Sequence, residues 1–193
     1  MLEFLQYIDT QFFLFLNGLH APFFDTLMFY ISSKFLWLPL YLFFIFLLYK
    51  IYGLTFWIPL LMVFIAIAMA DLASVYLFKN VFLRLRPCHN PDLINRVHLV
   101  KNHCGGQYGF ISSHAANMFS LATIFWLFIR MKYPKAALWL FLWAGIIGYS
   151  RIYLGVHYPG DVLGGAILGF AVGYMVYFVA KKLVFPLAKI SLL

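Results

Sequence analysis

The chain has little charge. Asp, Glu, Lys and Arg together make up 10% of its 193 residues, whereas a typical soluble domain has about a quarter. Its mean hydropathy is +0.91, so it has too few polar side chains to cover a globule in water. We therefore exclude a soluble protein and predict an integral membrane protein. No internal repeat or low-complexity tract is visible, and residues 1–193 are interpreted as a single domain.

Carboxylates and cysteines are also scarce. The six Asp and Glu residues form no cluster that would hold magnesium or zinc, so we predict neither a metal nor another cofactor. The two cysteines, Cys88 and Cys104, are not arranged as a paired CxxC. A zinc site that combined them with His89, His98 and His103 is therefore a weaker alternative than a disulfide or two free thiols.

The net charge of +8 does not indicate nucleic-acid binding. Lys and Arg residues lie at the ends of apolar runs, whereas a soluble nucleic-acid-binding protein carries them as a patch or stripe. Cations at membrane depth favour phosphate headgroups or phosphate substrates. We expect a lipid phosphate substrate and membrane lipids as partners, with no nucleic acid and no obligate protein partner.

Apolar runs predict the fold class. A bilayer core requires about 20 apolar residues per helix, with about 17 as the lower limit. Five runs meet this length or approach it: 35–52, 55–78, 113–130, 136–153 and 162–180. The sequence therefore predicts an all-α, polytopic membrane helix bundle of five to six transmembrane helices.

The sixth helix depends on the N-terminal segment, residues 1–25. Its apolar stretch 2–19 contains Glu3, Asp9 and Asn17. An amphipathic helix lying in the membrane interface accommodates such residues. We favour the interfacial helix and keep a sixth span as the alternative.

Basic residues predict the orientation, since Lys and Arg in short loops concentrate on the cytoplasmic side. If the spans alternate, one side holds Lys50, Arg130, Lys132, Lys135, Lys181, Lys182 and Lys189. The opposite side holds Lys79, Arg84, Arg86, Arg96, Lys101 and Arg151. We predict that the first side is cytoplasmic. The second group then lies on the periplasmic or extracellular face of the inner membrane, where we expect it to have a function other than setting the orientation.

Cys88 and Cys104 both belong to the polar loop 88–112 on this outer face. An oxidising compartment would allow them to form a disulfide. Closing a loop of this size stabilises a protein by about 3 kcal/mol on the chain-entropy model.

Three polar clusters interrupt the ends of the apolar runs: "KNVFLRLRP" (79–87), "SSH" (112–114) and "SRIYLGVHYPGD" (150–161). Ionisable residues at membrane depth are costly unless they have partners or a function. Alternation of the spans brings all three clusters to the same membrane face. The sequence therefore predicts one polar site assembled from distant segments.

The clusters contain groups suited to binding an anion. Lys79, Arg86 and Arg151 are three cations, and the planar fork of arginine fits phosphate oxygens. Ser112 and Ser113 lie at a helix N-terminus, where free N–H groups and the helix dipole attract anions.

Two histidines and a carboxylate complete the set. His114 and His157 can change protonation near neutral pH. Asp161, four residues after His157, can hold that imidazole in the tautomer whose other nitrogen is nucleophilic. Together with the cations, this set indicates phosphoryl transfer through a histidine.

The three clusters resemble the signature motifs of the type 2 phosphatidic acid phosphatase family. The patterns are K-x6-RP at Lys79–Pro87, S-x-H at Ser112–His114 and SR-x5-H-x3-D at Ser150–Asp161. The wider superfamily includes the vanadium haloperoxidases, and the resemblance implies their shared helical core. Since those haloperoxidases are soluble and much larger, the resemblance favours a membrane phosphatase.

The resemblance implies a role for each residue. His157 would be the nucleophile that forms a phosphohistidine, and Asp161 would orient it. His114 would protonate the leaving oxygen and then activate water. The phosphoryl oxygens would be bound by the remaining members of the motifs, Lys79, Arg86, Arg151, Ser112 and the backbone N–H of Ser113.

The second motif departs from the family pattern Pro-Ser-Gly-His. This chain has Ile111 for the proline and Ser113 for the glycine. A Cβ at this position disfavours positive φ, but serine is small and caps helices well. We expect the replacement to preserve activity.

The predicted function is a metal-independent lipid phosphatase. Among small bacterial members, the resemblance favours undecaprenyl diphosphate as the substrate. Lipid A, phosphatidylglycerophosphate and phosphatidate are alternatives, because their phosphatases look alike at the motifs. A transporter or channel without hydrolase activity is the alternative from another class, although the inverted repeats that would support it are not visible.

Two further ionisable residues have an interpretation. Asp71 lies within an apolar run, and we predict that it makes a helix–helix hydrogen bond, to a serine or tyrosine. Arg84 is expected to pair with lipid phosphate or to line the mouth of the pocket. His89, His98 and His103 are expected to be solvated in the polar loop.

Overall fold

The computed structural model describes residues 2–187, which fold into helices joined by short turns and one long loop. We number the main helices α1 (Leu2–Gly18), α2 (Pro22–Ser32), α3 (Leu38–Tyr52), α4 (Trp57–Phe82), α5 (Ser113–Ile129), α6 (Ala136–Tyr153) and α7 (Pro159–Val184). Within α4, residues Ser74–Lys79 form a π-helical turn, and a second one, Ala180–Val184, ends α7. Residues 2–187 contain no β-strand, which confirms the predicted all-α class.

The five predicted apolar runs are all helical. Four helical segments are long and apolar enough to cross a membrane: Leu38–Thr55, Trp57–Phe82, Ala136–Tyr153 and Pro159–Val184. The fifth, Ser113–Ile129, is apolar but has only 17 residues. The fold is therefore the predicted polytopic bundle.

The N-terminal segment is two helices rather than one. Glu3–Gly18 and Pro22–Ser32 meet at 115°. Pro22 is the first residue of α2, where its missing N–H costs nothing. The pair together is apolar enough to form one broken span. Both the interfacial and the spanning interpretations of residues 1–25 stay predictions.

Small residues bring α7 close to α5 along a seam. A Cβ added at Gly169 would overlap the carbonyl oxygen of Ala116, and one added at Gly173 would lie 2.8 Å from the carbonyl oxygen of Ser120. Only glycine permits such an approach of two backbones, as is common in membrane bundles. The seam places the N-terminal ends of α5 and α7 side by side.

A polar contact joins α4 to α5 within the apolar core. The Nδ2 of Asn117 donates to the Oδ1 of Asp71 at 2.9 Å. The predicted helix–helix hydrogen bond of Asp71 is confirmed, with asparagine instead of serine or tyrosine as the partner.

Basic residues gather at one end of the bundle. A single cavity is lined by Arg130, Lys132 and Lys181, which come from the ends of α5 and α7. These three belong to the set of basic residues predicted to share one membrane face, and that placement stays a prediction. Lys189 of that set lies outside the described residues.

The long loop between α4 and α5 is closed by a disulfide. Cys88 and Cys104 are bonded, with their Cα atoms 6.0 Å apart. An isolated antiparallel bridge between Leu85 and Tyr108 pairs the two arms of the loop. The disulfide prediction is confirmed, and the alternatives of a zinc site and of free thiols are wrong.

Candidate active site

His157 and Asp161 form a buried pair at the start of α7. Their side chains are 2% and 0% exposed, and His157 Nδ1 lies 3.4 Å from Asp161 Oδ2. A carboxylate oxygen can only accept a hydrogen bond, so the proton belongs on Nδ1. The lone pair of Nε2 is then free to act as a nucleophile, which is the predicted arrangement.

Three cations surround this histidine. Burial lowers the pKa of His157 well below its ordinary value, and the charges of Arg86, Arg151 and Lys79 lower it further. A neutral imidazole among positive charges is suited to meeting an anion. The structure thus brings the cations of the first and third motifs to one place.

Lys79 reaches the N-terminus of α5. Its Nζ donates to Ser113 Oγ at 2.5 Å, and the same hydroxyl lies 2.6 Å from Ser74 Oγ. Lys79 ends the π-helical turn of α4, a wide turn that is frequent at functional sites. The hydroxyl of Ser113, absent in the glycine of the family pattern, therefore positions this ammonium group.

The replacement of glycine by Ser113 causes no backbone strain. Ser113 is the first residue of α5. The non-glycine residues with positive φ among those described are Leu83, Lys101 and Asn102. Ser113 thus does not occupy the left-handed region that would require glycine.

The two arginines of the motifs are held by protein groups and keep donors for a ligand. Arg86 Nε and Nη1 donate to the carbonyl oxygens of Tyr108 and Cys104 at 3.3 and 3.2 Å. Arg151 Nη1 donates to the hydroxyl of Ser32 on α2. The Nε of Arg151 is buried with no hydrogen-bond partner among residues 2–187. A buried donor without a partner is costly, and an anion would satisfy it.

Ser112 and His114 flank the first residue of α5. Ser112 is fully buried, and its Oγ caps the helix by accepting from the N–H of Ala115 at 3.4 Å. Its own N–H donates to the carbonyl oxygen of Asp161 at 2.9 Å. Ser112 thus links the second motif to the third. His114 is exposed as a residue, which is compatible with the acid–base role predicted for it.

Sequence reasoning missed the role of Arg84. Its Nη1 and Nη2 pair with Asp161 Oδ1 at 2.9 Å and with Asp9 Oδ2 at 2.8 Å. It does line a groove, as expected, but its partners are two carboxylates of the protein. In the sequence, Asp9 is visible only as a charged residue that interrupts an apolar helix.

Asn17 is a second residue that sequence reasoning missed. It is 1% exposed, and its Nδ2 donates to the carbonyl oxygens of Tyr153, His98 and Ile152 at 2.8, 3.0 and 3.3 Å. Its Oδ1 accepts from the N–H of His98 at 2.8 Å. Asn17 therefore ties α1 to the loop and to the end of α6 that carries the third motif.

The loop histidines differ from one another. His89 and His103 are exposed, as expected. His98 is not a solvated residue: its Nε2 lies 2.9 Å from Asp25 Oδ1, and its ring stacks on His20 with a centroid distance of 3.7 Å. The expectation for His98 was wrong because α2 packs its carboxylate against the loop.

A groove of about 710 Å³ opens beside the His157–Asp161 pair. Its lining includes the charged side chains of Arg84 and Asp9, and Arg84 contacts Asp161. Its apolar walls come from α1, α4, α7 and the loop before α5, and they include Leu5, Ile8, Phe12, Phe82, Phe110 and Leu163. The size and the apolar walls of this groove suit a hydrocarbon chain.

Comparison with known proteins agrees with this site. The PAP2 superfamily model matches residues 56–185, which include all three motifs. The lipid A 4'-phosphatase of Bacteroides thetaiotaomicron is 39% identical over 186 residues, covering 95% of this chain and 81% of that protein. Human dolichyldiphosphatase 1 is 30% identical over 126 residues, covering 58% of this chain and 49% of that protein.

A solved structure shares the fold. The PAP2-type phosphatidylglycerolphosphate phosphatase of Bacillus subtilis superimposes with a TM-score of 0.71 over 93% of this chain and 87% of that chain, at 23% identity. The motifs, the extent of the family match and the near-complete alignment with a lipid phosphatase agree. The chain therefore belongs to the PAP2 superfamily and is an integral membrane lipid phosphatase.

Proposed function

We propose that this chain removes a phosphate monoester group from lipid A through a phosphohistidine intermediate. The observation that carries the proposal is the buried His157–Asp161 pair beneath three cations. The choice of lipid rests on the likeness to the Bacteroides lipid A 4'-phosphatase, which extends over 95% of this chain.

In the first step, Nε2 of His157 attacks phosphorus and the bond from phosphorus to the lipid oxygen breaks. Asp161 accepts a hydrogen bond from Nδ1 and stabilises the positive charge that develops on the ring. His114 supplies a proton to the leaving oxygen. The dephosphorylated lipid leaves, and the phosphoryl group stays on His157.

In the second step, water attacks the phosphohistidine. His114 accepts a proton from that water, the bond between nitrogen and phosphorus breaks, and inorganic phosphate is released. Lys79, Arg86 and Arg151 neutralise the phosphoryl oxygens in both steps. The N–H of Ser113 and the N-terminus of α5 add partial positive charge, while Ser112 holds this helix end against Asp161.

Metal independence is part of the proposal. No group of three or more His, Cys, Asp or Glu side chains within residues 2–187 is arranged to hold a metal ion. The cations of the site are fixed in the positions that would neutralise a phosphate. We expect activity to persist in EDTA.

The proposed location of the site is the periplasmic or extracellular face of the inner membrane. Two features support this side. The disulfide of Cys88 and Cys104 belongs to the loop above the site and is stable in oxidising compartments. A cavity at the opposite ends of α5 and α7 from the histidines is lined by Arg130, Lys132 and Lys181. Because basic residues concentrate on the cytoplasmic side, the histidines would then lie on the outer side.

Undecaprenyl diphosphate is the second candidate substrate. The partial likeness to a dolichyldiphosphatase favours it, since that name denotes a polyprenyl diphosphate. The apolar groove would accept one prenyl chain as well as an acyl chain. The prediction of undecaprenyl diphosphate from the sequence stays a prediction.

A substrate panel separates these candidates. Purified protein in detergent with EDTA is given lipid A, undecaprenyl diphosphate, phosphatidylglycerophosphate or phosphatidate, and phosphate release is followed as kcat/KM. We expect lipid A to rank first and vanadate to inhibit. A higher rank for undecaprenyl diphosphate would overturn the lipid A assignment, and dependence on a divalent cation would overturn metal independence.

A further inference from the structure

The carboxylate of Asp161 accepts hydrogen bonds from two donors in addition to His157. Oδ2, which faces His157 Nδ1, also accepts from the N–H of Tyr158 at 3.0 Å. Oδ1 accepts from Arg84 Nη1 at 2.9 Å. Asp161 is fully buried, so its charge requires a compensating cation close by. Arg84 is the cation that directly contacts it.

Arg84 is fixed on several sides. Its guanidinium lies over the ring of Tyr158, 4.0 Å from the centroid. Its backbone carbonyl accepts from the N–H of Gly109 at 2.8 Å. Its second amino group, Nη2, pairs with Asp9 Oδ2 at 2.8 Å. The side chain of Arg84 is 19% exposed and that of Asp9 is 16% exposed, so this pair is partly shielded from solvent.

Asp9 also contacts the backbone next to Asp161. Its Oδ1 accepts from the N–H of Gly160 at 2.7 Å. A Cβ at residue 160 would lie 2.7 Å from Asp9 Oδ2, so glycine is required for this approach. Asp9 lies in α1, outside the residues 56–185 matched by the superfamily. The contact is therefore supplied by a helix outside that matched region.

We propose that Asp9 and Arg84 form a positioning clamp for the His157–Asp161 pair. Arg84 fixes the Oδ1 of Asp161, which leaves Oδ2 aimed at His157. Asp9 fixes the guanidinium from the other side. Neither residue needs to touch the phosphate, and both act through Asp161. The inference rests on the proposed role of His157 as the nucleophile.

The rival role for Arg84 is direct contact with the lipid, because Arg84 also lines the groove. The two roles differ in kinetics. A residue that binds the lipid changes KM, whereas a residue that aims the nucleophile changes kcat at an unchanged KM. Displacement of reacting groups by about 1 Å costs on the order of a hundredfold in rate.

The variants are Arg84→Gln, Arg84→Lys, Asp9→Asn and the double variant Asp9→Asn/Arg84→Gln. Asparagine at position 9 keeps an oxygen for the N–H of Gly160 but loses the charge that holds Arg84. We expect Arg84→Gln to lower kcat by about tenfold to a hundredfold with KM within about twofold. Arg84→Lys should retain part of the wild-type kcat. Its ammonium group keeps the positive charge but lacks the two parallel donors of the guanidinium group.

Asp9→Asn should lower kcat by a smaller factor, on the order of tenfold or less. The double variant should lose no more than Arg84→Gln alone, because Asp9 acts through Arg84. The matched control is Asp92→Asn, the same exchange of a carboxylate for an amide. Asp92 is exposed in the loop and does not contact Asp161, so this variant should keep the wild-type kcat.

The assay uses whichever lipid of the substrate panel the wild-type enzyme hydrolyses best, so the result does not depend on lipid A. An unchanged kcat in Arg84→Gln, or a raised KM at constant kcat, overturns the clamp. The clamp is also overturned if Arg84→Lys and Arg84→Gln lose kcat equally and both have a lower melting temperature. If His157→Ala remains active, the proposed mechanism fails instead, independently of the Arg84 result.

Discussion

The bundle α4–α7 and the N-terminal pair α1–α2 contribute to one site in different ways. The bundle and its loops carry the residues proposed for chemistry, with His114, His157 and Asp161 near helix N-termini. The N-terminal pair carries none of the motif residues. It supplies instead polar side chains that bond to residues in or next to the motifs, including Asp9, Asn17, Asp25 and Ser32.

This difference separates chemistry from positioning. The bundle brings the groups proposed to bind phosphate together because its helices pack through small residues along one seam. The N-terminal helices restrict how those groups move, because each anchor joins residues remote in sequence. Loss of a motif residue or of a seam glycine in the bundle should therefore abolish the reaction or the fold, and loss of an anchor should weaken both in part.

His157→Ala should have the greatest effect on activity. Loss of a nucleophile removes the covalent route, and the expected fall in kcat is on the order of 10⁴-fold or more. Phosphate release and trapping of the phosphoenzyme in an alkaline quench, in which the N–P bond survives, measure it. His89→Ala is the control, since His89 is exposed on the loop. Equal activity of the two variants would remove His157 from the mechanism.

Gly169→Leu should prevent α7 from packing on α5. Its side chain would overlap the carbonyl oxygen of Ala116, and overpacking a close seam costs about 1–3 kcal/mol or more. We expect little monodisperse protein after detergent extraction. The matched control is Gly145→Leu on α6, because a Cβ there meets nothing within 4 Å. Normal yield and melting temperature for Gly169→Leu would contradict the seam.

Asn17→Ala tests an anchor of the N-terminal pair. The change leaves the N–H of His98 and the carbonyl oxygen of Tyr153 without their partner. A buried polar group left unpaired costs about 1–3 kcal/mol. We expect a lower melting temperature and a several-fold lower kcat, with Asn95→Ala in the exposed part of the loop as the control. A stability equal to that of the control would show that α1 does not anchor the loop.

Much of the bundle was predictable from the sequence because polar residues are rare in it. In an apolar background, Lys79, His114 and Asp161 stand out, and the alternation of spans is enough to predict that they meet. The disulfide was predictable for a related reason, since both cysteines fall in one loop on one face. The physical rule in each case is the cost of placing polar groups in a membrane.

The anchors were not predictable in the same way. The Arg84–Asp9 pair spans 75 positions and the contact of Asp9 with Gly160 spans 151. Both depend on where α1 lies after the 115° bend to α2, and no periodicity in the sequence encodes that angle. One signal was available: Asp9 and Asn17 lie in an otherwise apolar helix. Their presence indicates that they have buried hydrogen-bond partners, but it does not identify which residues those partners are.

The double variant Cys88→Ser/Cys104→Ser should have the mildest effect on the site. On the chain-entropy model the disulfide stabilises the fold by about 3 kcal/mol. The antiparallel bridge between Leu85 and Tyr108 also holds the two arms of the loop together. Arg86 donates to the carbonyl oxygen of Cys104, so a looser loop should disturb a side chain that we propose binds phosphate. We expect a lower melting temperature, a KM raised a few-fold and a nearly unchanged kcat. The same shift should follow reduction of the wild-type protein, while the variant should not respond to the reductant. If reduction leaves KM and the melting temperature unchanged, the loop is held by its other contacts, and the disulfide does not support Arg86.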